Sequence, residues 1–353
     1  MMTSVSIANF RGIAQGELSQ LAPLTVLMGP NNSGKSTCLE AMSIAWWANP
    51  AEALIRVAHR RGWLGIAGVE YLIGTAGAKV AFQGSLGGGA TAVSGTLTIR
   101  REPAPSTSLA DLARRQGLQG QPLACSIAHE LRVRNTVNGL QHAIALDDAG
   151  QFVVVHGGDS GSFGGPRMSA FLDARVASES LSEALSKADA AGEEAHVRLI
   201  GYLKQIDPGV REVRARQIGG AWVPHAYYAN RTIPLAFSGD GIIRLFSIAA
   251  HLAPLREALV LMEEPECYQH TRSLEQLTRI LWDAIDAGNQ IIASTHSLEL
   301  LDMLLLEAVN RRDGLQRTAL MRLALADGAL SAVRVPGPDI AMLRQDLAED
   351  LRR

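Results

Sequence analysis

The sequence predicts an α/β fold organised on a sheet with parallel strands, and two stretches carry that prediction. In the first, Leu24 to Met28 is a short, continuously apolar run. It suits a strand buried on both faces better than an amphipathic helix. The run breaks at Gly29, and after Lys35 the apolar residues Leu39, Met42 and Trp46 recur at helical spacing until Asn49-Pro50. In the second, Leu259 to Met262 is another buried run, and Leu274, Leu277, Ile280, Leu281 and Ile285 mark one face of a helix. Gly288 stops that helix, and Gln290 to Ser294 reads as a strand. Strand, helix and strand in about 35 residues implies parallel pairing.

The remaining elements follow in order. Ser4 to Ile7 reads as a first strand, closed by Asn9-Phe10-Arg11 and a turn at Gly12. From about residue 80 to 155 the pattern turns to period-2 runs between glycine and polar turns: "KVAFQGSL", "GTLTIRRE", "HELRVRN" and "QFVVVHG". These predict an antiparallel β subdomain, with loops at Gly87 to Gly95 and Gly157 to Gly165. Met168 to Ile206 reads as a helical subdomain ending at Asp207-Pro208-Gly209. The parts 1–165 and 207–353 then form one α/β core, and residues 1–353 one domain.

The break between Gly29 and Lys35 fits G-x-x-x-x-G-K-[ST] in strand–loop–helix context. Backbone N–H groups from Gly29, Asn31, Asn32, Ser33 and Gly34, with the helix start at Lys35, Ser36 and Thr37, can cradle phosphate oxygens. Lys35 is placed to reach the β- and γ-phosphates, and the Ser36 hydroxyl to ligate Mg²⁺. "ALVLMEEPECYQH" ends a buried strand with two carboxylates, at the sheet edge where ligands gather. Glu263 is expected to hold the Mg²⁺ shell and Glu264 to orient or deprotonate water. In "QIIASTHSLELL" the neighbouring strand delivers His296 to sense or stabilise a γ-phosphate. "FSGDGIIRLFSIAAHL" opens a helix at Ser238, Gly239, Asp240 and Gly241, a second anion-binding end. An ordinary N-cap by Asp240 is the alternative. The apolar face there is Ile242, Leu245, Phe246 and Ala249.

The chain has 353 residues and a formal net charge of −2, so no global basic field announces nucleic acid. Three scattered cysteines, Cys38, Cys125 and Cys267, suit a reducing compartment and give neither a disulfide framework nor a metal cluster. The N-terminal "MMTSVSIANF" lacks the pattern of a secretory signal, and no apolar run spans a membrane. A soluble, cytoplasmic protein is expected.

In this order, "SIANFRGI", "LTVLMGPNNSGKST", "FSGDGIIRLFSIA", "LMEEPECYQH" and "ASTHSLELL" resemble the motifs of ABC/SMC-type P-loop ATPases. More narrowly they look like the overcoming-lysogenization-defect (OLD) group and the stand-alone ATPases of bacterial phage-defence operons. The resemblance extends to the closing "MRLALADGAL" strand pair and terminal "LAEDLRR". Transporter relatives carry Leu-Ser-Gly-Gly-Gln instead, and "ECYQHTR" departs from the Leu-His-Pro of many relatives, which leaves His270 without an assigned role. The resemblance implies an ABC-type ATPase head with a mixed central sheet. It further implies ATP and Mg²⁺ sandwiched in a head-to-tail homodimer, with higher oligomers open. Gly29 to Thr37, Glu263, Glu264 and His296 of one copy would face Ser238 to Gly241 of the other. Arg11 is similar to an arginine that reaches the nucleotide, Arg231 is a candidate for contact with phosphate or partner, and Gln83 is a candidate for the glutamine that links Mg²⁺ to conformational change.

Two functions follow from the resemblance. The first is a regulatory ATPase controlling a separately encoded effector, since the stretch after His296 holds no Asp-x-Asp motif for a metal-dependent nuclease. The second is a DNA-repair clamp, with Arg60-Arg61, Arg100-Arg101, Arg132, Arg134, Arg211, Arg214 and Arg216 as its basic surface.

Overall fold

A computed structural model describes residues 1–47, 50–61, 72, 77–86, 89, 91–102, 123–133, 136–146, 152–157, 169–173, 178–345 and 347–352. Its strands are β1 (Met2–Phe10), β2 (Ile13–Ser19), β3 (Leu24–Met28), β4 (Ala78–Leu86), β5 (Thr91–Glu102), β6 (Leu123–Val133), β7 (Thr136–Leu146) and β8 (Phe152–Gly157). There follow β9 (Ser169–Leu172), β10 (Glu212–Ile218), β11 (Ala221–Tyr227), β12 (Thr232–Pro234), β13 (Leu259–Glu263), β14 (Gln290–Ser294), β15 (Thr318–Ala326) and β16 (Ala329–Pro336). The helices are α1 (Lys35–Trp46), α2 (Pro50–Arg60), α3 (Ser178–Ala190), α4 (Glu193–Ile206), α5 (Asp240–Leu252), α6 (Thr271–Asp286), α7 (Leu298–Val309) and α8 (Gly337–Gln345).

Among the described residues, one sheet of 13 strands runs in the order β8-β7-β6-β5-β4-β1-β2-β16-β15-β3-β14-β13-β9. The run β15-β3-β14-β13-β9 is parallel throughout, as the helical crossovers require. From β8 to β2 it is antiparallel. The antiparallel strands predicted near 80–155 therefore extend the main sheet, and β7 is an additional strand that the sequence pattern passed over. The Asp327-Gly328 pair, at φ of 48° and 79°, makes the two-residue turn joining β15 to β16. A second, three-stranded sheet holds β10, β11 and β12.

The central parallel strands β3, β13 and β14 are mostly apolar because both faces are covered. Val26, Met28, Val260, Met262, Ile291 and Ala293 enter the core that includes Leu185 of α3, Phe246 of α5, Leu277 of α6 and Leu301 of α7. Their alternates Leu27, Leu259, Leu261 and Ile292 enter the opposite core, with Leu39 and Met42 of α1. The α1 helix is enclosed nearly all round, and its Trp46 meets Phe82 of β4 edge to face at 5.2 Å between ring centroids. So α1 and α5, which open on the two predicted anion-binding ends, lie on opposite faces of one sheet.

Two expectations are corrected. The helical reading from Met168 fails at Ser169–Leu172, which pair in parallel with Leu259–Met262 as the edge strand β9. That state is imposed by a partner about 90 residues away, which local periodicity does not register. On α5, Ile242 is 42% exposed whereas Arg244 is buried. The remaining predicted apolar positions, Leu245, Phe246 and Ala249, are buried. The expected loop at Gly157 to Gly165 lies largely outside the described residues, as do the side chains of Arg101, Cys125, Arg132 and Arg134.

Candidate nucleotide site

The loop between β3 and α1 is built on glycine geometry. Gly29 sits at φ 150°, and a Cβ there would fall 2.3 Å from the Leu323 carbonyl oxygen of β15. Gly34, at φ 90°, precedes α1, whose N-terminus has no side-chain cap. The first amides of α1 are thus left for an outside acceptor. Lys35 Nζ folds back over the loop, donating to the carbonyls of Gly29 and Pro30 at 2.8 Å each, with Ser33 Oγ at 3.4 Å. Burial lowers the Lys35 pKa, while Glu264 and Glu263 pull it back up.

At the end of β13 the two carboxylates have different surroundings. Glu263 Oε1 accepts a hydrogen bond from Ser36 Oγ, joining the start of α1 to a strand 227 residues away. A hydroxyl and a carboxylate in contact are the hard oxygen donors that suit Mg²⁺. Glu264 turns away: its φ of 46° is left-handed, and its N–H donates to Ser294 O at 3.0 Å. Its side chain is 41% exposed, with Oε2 accepting from Cys267 Sγ at 3.4 Å and Oε1 3.9 Å from His296 Nε2. Burial and then the Lys35 charge lower the His296 pKa, which favours the neutral ring. The Cys267 thiol is pushed up to about 11 by burial and that of Cys38 to about 12.

The structure adds residues that the motifs did not mark. Glu40, fully buried one turn after Ser36, accepts from Arg11, from Arg60 at 2.9 Å and from Arg61 at 2.7 Å. Arg60 also meets Asp173 at 3.2 Å, and both Arg60 and Arg61 lie 3.5 Å from Glu263. Two arginines expected on a DNA-facing surface are instead committed to a buried carboxylate. The signal was available: Glu40 is a charge inside the apolar "CLEAMSIAW". Behind His296, Glu266 Oε1 accepts from Thr295 Oγ1 and from the His296 N–H at 3.3 Å. Gln83 lines a polar cleft with Ser4, Ser6, Ser94 and Thr96, on the sheet face opposite Phe82 and hence away from α1. The Arg231 guanidinium stacks 5.1 Å from the Tyr228 ring centroid, and His270 precedes α6 without capping it.

Gly239 precedes α5, again with no side-chain cap, so the Asp240 side chain does not close the helix. Ser238 and Gly241 are part-exposed, and Gly239 and Asp240 exposed. A Cβ on Gly241 would come within 2.6 Å of Tyr268 O, so the start of α5 lies directly against the loop after β13. Among the described residues, no hydrogen bond or ion pair joins Ser238–Gly241 to the Gly29–Thr37 loop.

A parallel sheet with a glycine loop after one strand and two carboxylates at the end of another has the layout of a P-loop ATPase. The family described as AAA ATPase domain matches residues 1–46 and 171–301, and the chain belongs to that family. Those two segments contain the loop, α5, Glu263, Glu264 and His296. Among solved structures, the chain is similar to the Smc head bound to the C-winged helix domain of ScpA. That match has 10% identity, 95% of this chain and 98% of that one, and a TM-score of 0.52. It is also similar to the Smc head with an extended coiled coil bound to the C-terminal domain of ScpA derived from Pyrococcus furiosus. There the identity is 10%, each chain is covered to 99%, and the TM-score is 0.52. These likenesses concern the fold, a mixed α/β ATPase head. Comparison with curated proteins gives no match. Among the described residues, no helix is long and apolar enough to cross a membrane.

Proposed function

We propose that the chain is an ATP-hydrolysing switch that pairs head to tail around ATP and Mg²⁺ and controls a separately encoded effector in anti-phage defence. The observation that supports the site is the Ser36–Glu263 hydrogen bond beside Lys35. Lys35 and the amides of Gly29 to Thr37 bind the phosphates. Ser36 and Glu263 hold Mg²⁺, which when bound neutralises charge on the phosphate oxygens. Glu264, part-exposed and next to His296, takes the proton of the attacking water. His296 donates to the γ-phosphate. Ser238 to Gly241 of a second copy close the site through the uncapped start of α5. Arg11, engaged by Glu40, reaches the nucleotide only on releasing it.

The effector assignment is supported by the OLD-like sequence motifs, Ser-Gly-Asp-Gly and Glu-Glu-Pro-Glu, and names a nuclease of the topoisomerase-primase fold. ATP binding must change the affinity for something else if it is to regulate. The purified chain is expected to leave plasmid and linear DNA intact with Mg²⁺ or Mn²⁺. Cleavage that disappears in a point variant of this chain would contradict the assignment. The clamp reading retains the exposed Arg211, Arg214 and Arg216, although Arg214 is paired with Glu212. DNA binding by the chain alone, weakening steeply with salt, would favour that reading.

A further inference from the structure

The α5 helix carries a charge that its surroundings leave unmet. Arg244, one turn from Asp240, is 3% exposed, yet Nε and both terminal nitrogens have no hydrogen-bond partner among the described residues. Burying a guanidinium removes its hydration, and without replacement bonds that loss is costly. Such an orphan calls for an explanation, and a partner acquired in another state is one.

Two nearby carboxylates attract Arg244: Asp173 and Glu266. Asp173 is already engaged by Arg60. Glu266 is engaged only through Oε1, while its Oε2 is buried and unpartnered. Burial raises the Glu266 pKa above the usual carboxylate value, against the hydrogen bonds to it that lower it. Both groups are buried with unmade bonds, and the start of α5 packs against the loop that carries Glu266, where a Cβ on Gly241 would come within 2.6 Å of Tyr268 O. Gln269 already bridges their elements, since Nε2 donates to Gly241 O at 3.2 Å.

We propose that Arg244 is a positioning residue whose guanidinium donates to Glu266 Oε2 when nucleotide draws α5 into the closed dimer. The pair ties α5 to the Thr295–His296 corner. This rests on the ATPase reading above. Its consequence is communication between sites: Ser238–Gly241 serve the nucleotide of a second copy, whereas His296 serves the chain's own. Occupancy of one site then sets the geometry of the other.

Thermal unfolding and ATPase titrations on the full chain test this, with Mg²⁺ and a non-hydrolysable ATP analogue as the probe. Arg244→Met keeps length and removes the unmet charge, so the nucleotide-free Tm is expected to rise by about 2 °C. The analogue-induced rise in Tm is expected to shrink by about 2 °C or more. The wild-type Hill coefficient is expected to exceed one and to fall to about one in the variant. Glu266→Gln, which keeps an acceptor for Thr295, is expected to lose cooperativity in the same way, and it carries the test should Arg244→Met fold poorly. An ordinary structural arginine would give the reverse, a lower nucleotide-free Tm with cooperativity intact, and that overturns the proposal. A wild type whose Tm ignores the analogue overturns the ATPase reading itself. A normal wild-type shift retained in both variants overturns this inference alone.

Discussion

Lys35→Ala is expected to weaken ATP binding by about 10²–10⁴-fold, because two charge-assisted hydrogen bonds to phosphate are worth about 3–6 kcal/mol together. Lys35 is the cation that β3 and α1 hold at the loop, and its present acceptors are the Gly29 and Pro30 carbonyls. Those carbonyls would face incoming phosphates with no positive charge between them. The fold should survive, since the cores on either side of the sheet do not depend on the ammonium. Titration calorimetry with ATP and Mg²⁺ reads the loss directly. Affinity within a fewfold of wild type would remove Lys35 from the site.

Glu264→Gln is expected to keep nucleotide affinity and to lower turnover by about 10²–10⁴-fold, the range for loss of a general base. The amide keeps the shape of the side chain and accepts no proton. Glu263→Gln should behave differently, weakening Mg²⁺-dependent binding, because Glu263 and not Glu264 meets Ser36. The left-handed φ at Glu264 is what gives the adjacent carboxylates separate surroundings. Steady-state ATPase rates with binding measured in parallel distinguish the two. Equal turnover for wild type and Glu264→Gln would sink the assignment of the base.

Much of this was legible in the sequence where local chemistry and tertiary role coincide. Leu24–Met28 and Gln290–Ser294 match the expected strands residue for residue, because a strand covered on both faces is mostly apolar and its polar members, Thr25, Gln290 and Ser294, are few. The glycine loop was legible because only glycine fits the φ values at Gly29 and Gly34 and the close approach of Gly29 to Leu323. What was not legible depends on distant partners. "SAFL" is a strand only because Leu259–Met262 lie beside it. "TVNGLQHAIAL" lacks the alternation that marked its neighbours, and becomes β7 through pairing with β6 and β8. Arg60 and Arg61 read as surface charge until α2 brings them to Glu40. Arg244 reads as the polar face of α5, yet it is Ile242 that is exposed. Each miss concerns a residue or strand whose state is set by partners distant in the sequence.

The central claim is that the phosphate loop of one copy, which opens α1 on one sheet face, is completed by the start of α5 of another copy, since within one chain α5 packs on the opposite face. On the proposed reading, two copies surround one nucleotide. Light scattering on Glu264→Gln at micromolar concentration, with and without ATP and Mg²⁺, tests it most directly. The account predicts a mass that doubles, or rises further, when ATP is added. A mass that stays at one chain, 37.7 kDa, under both conditions while calorimetry shows ATP bound would contradict it.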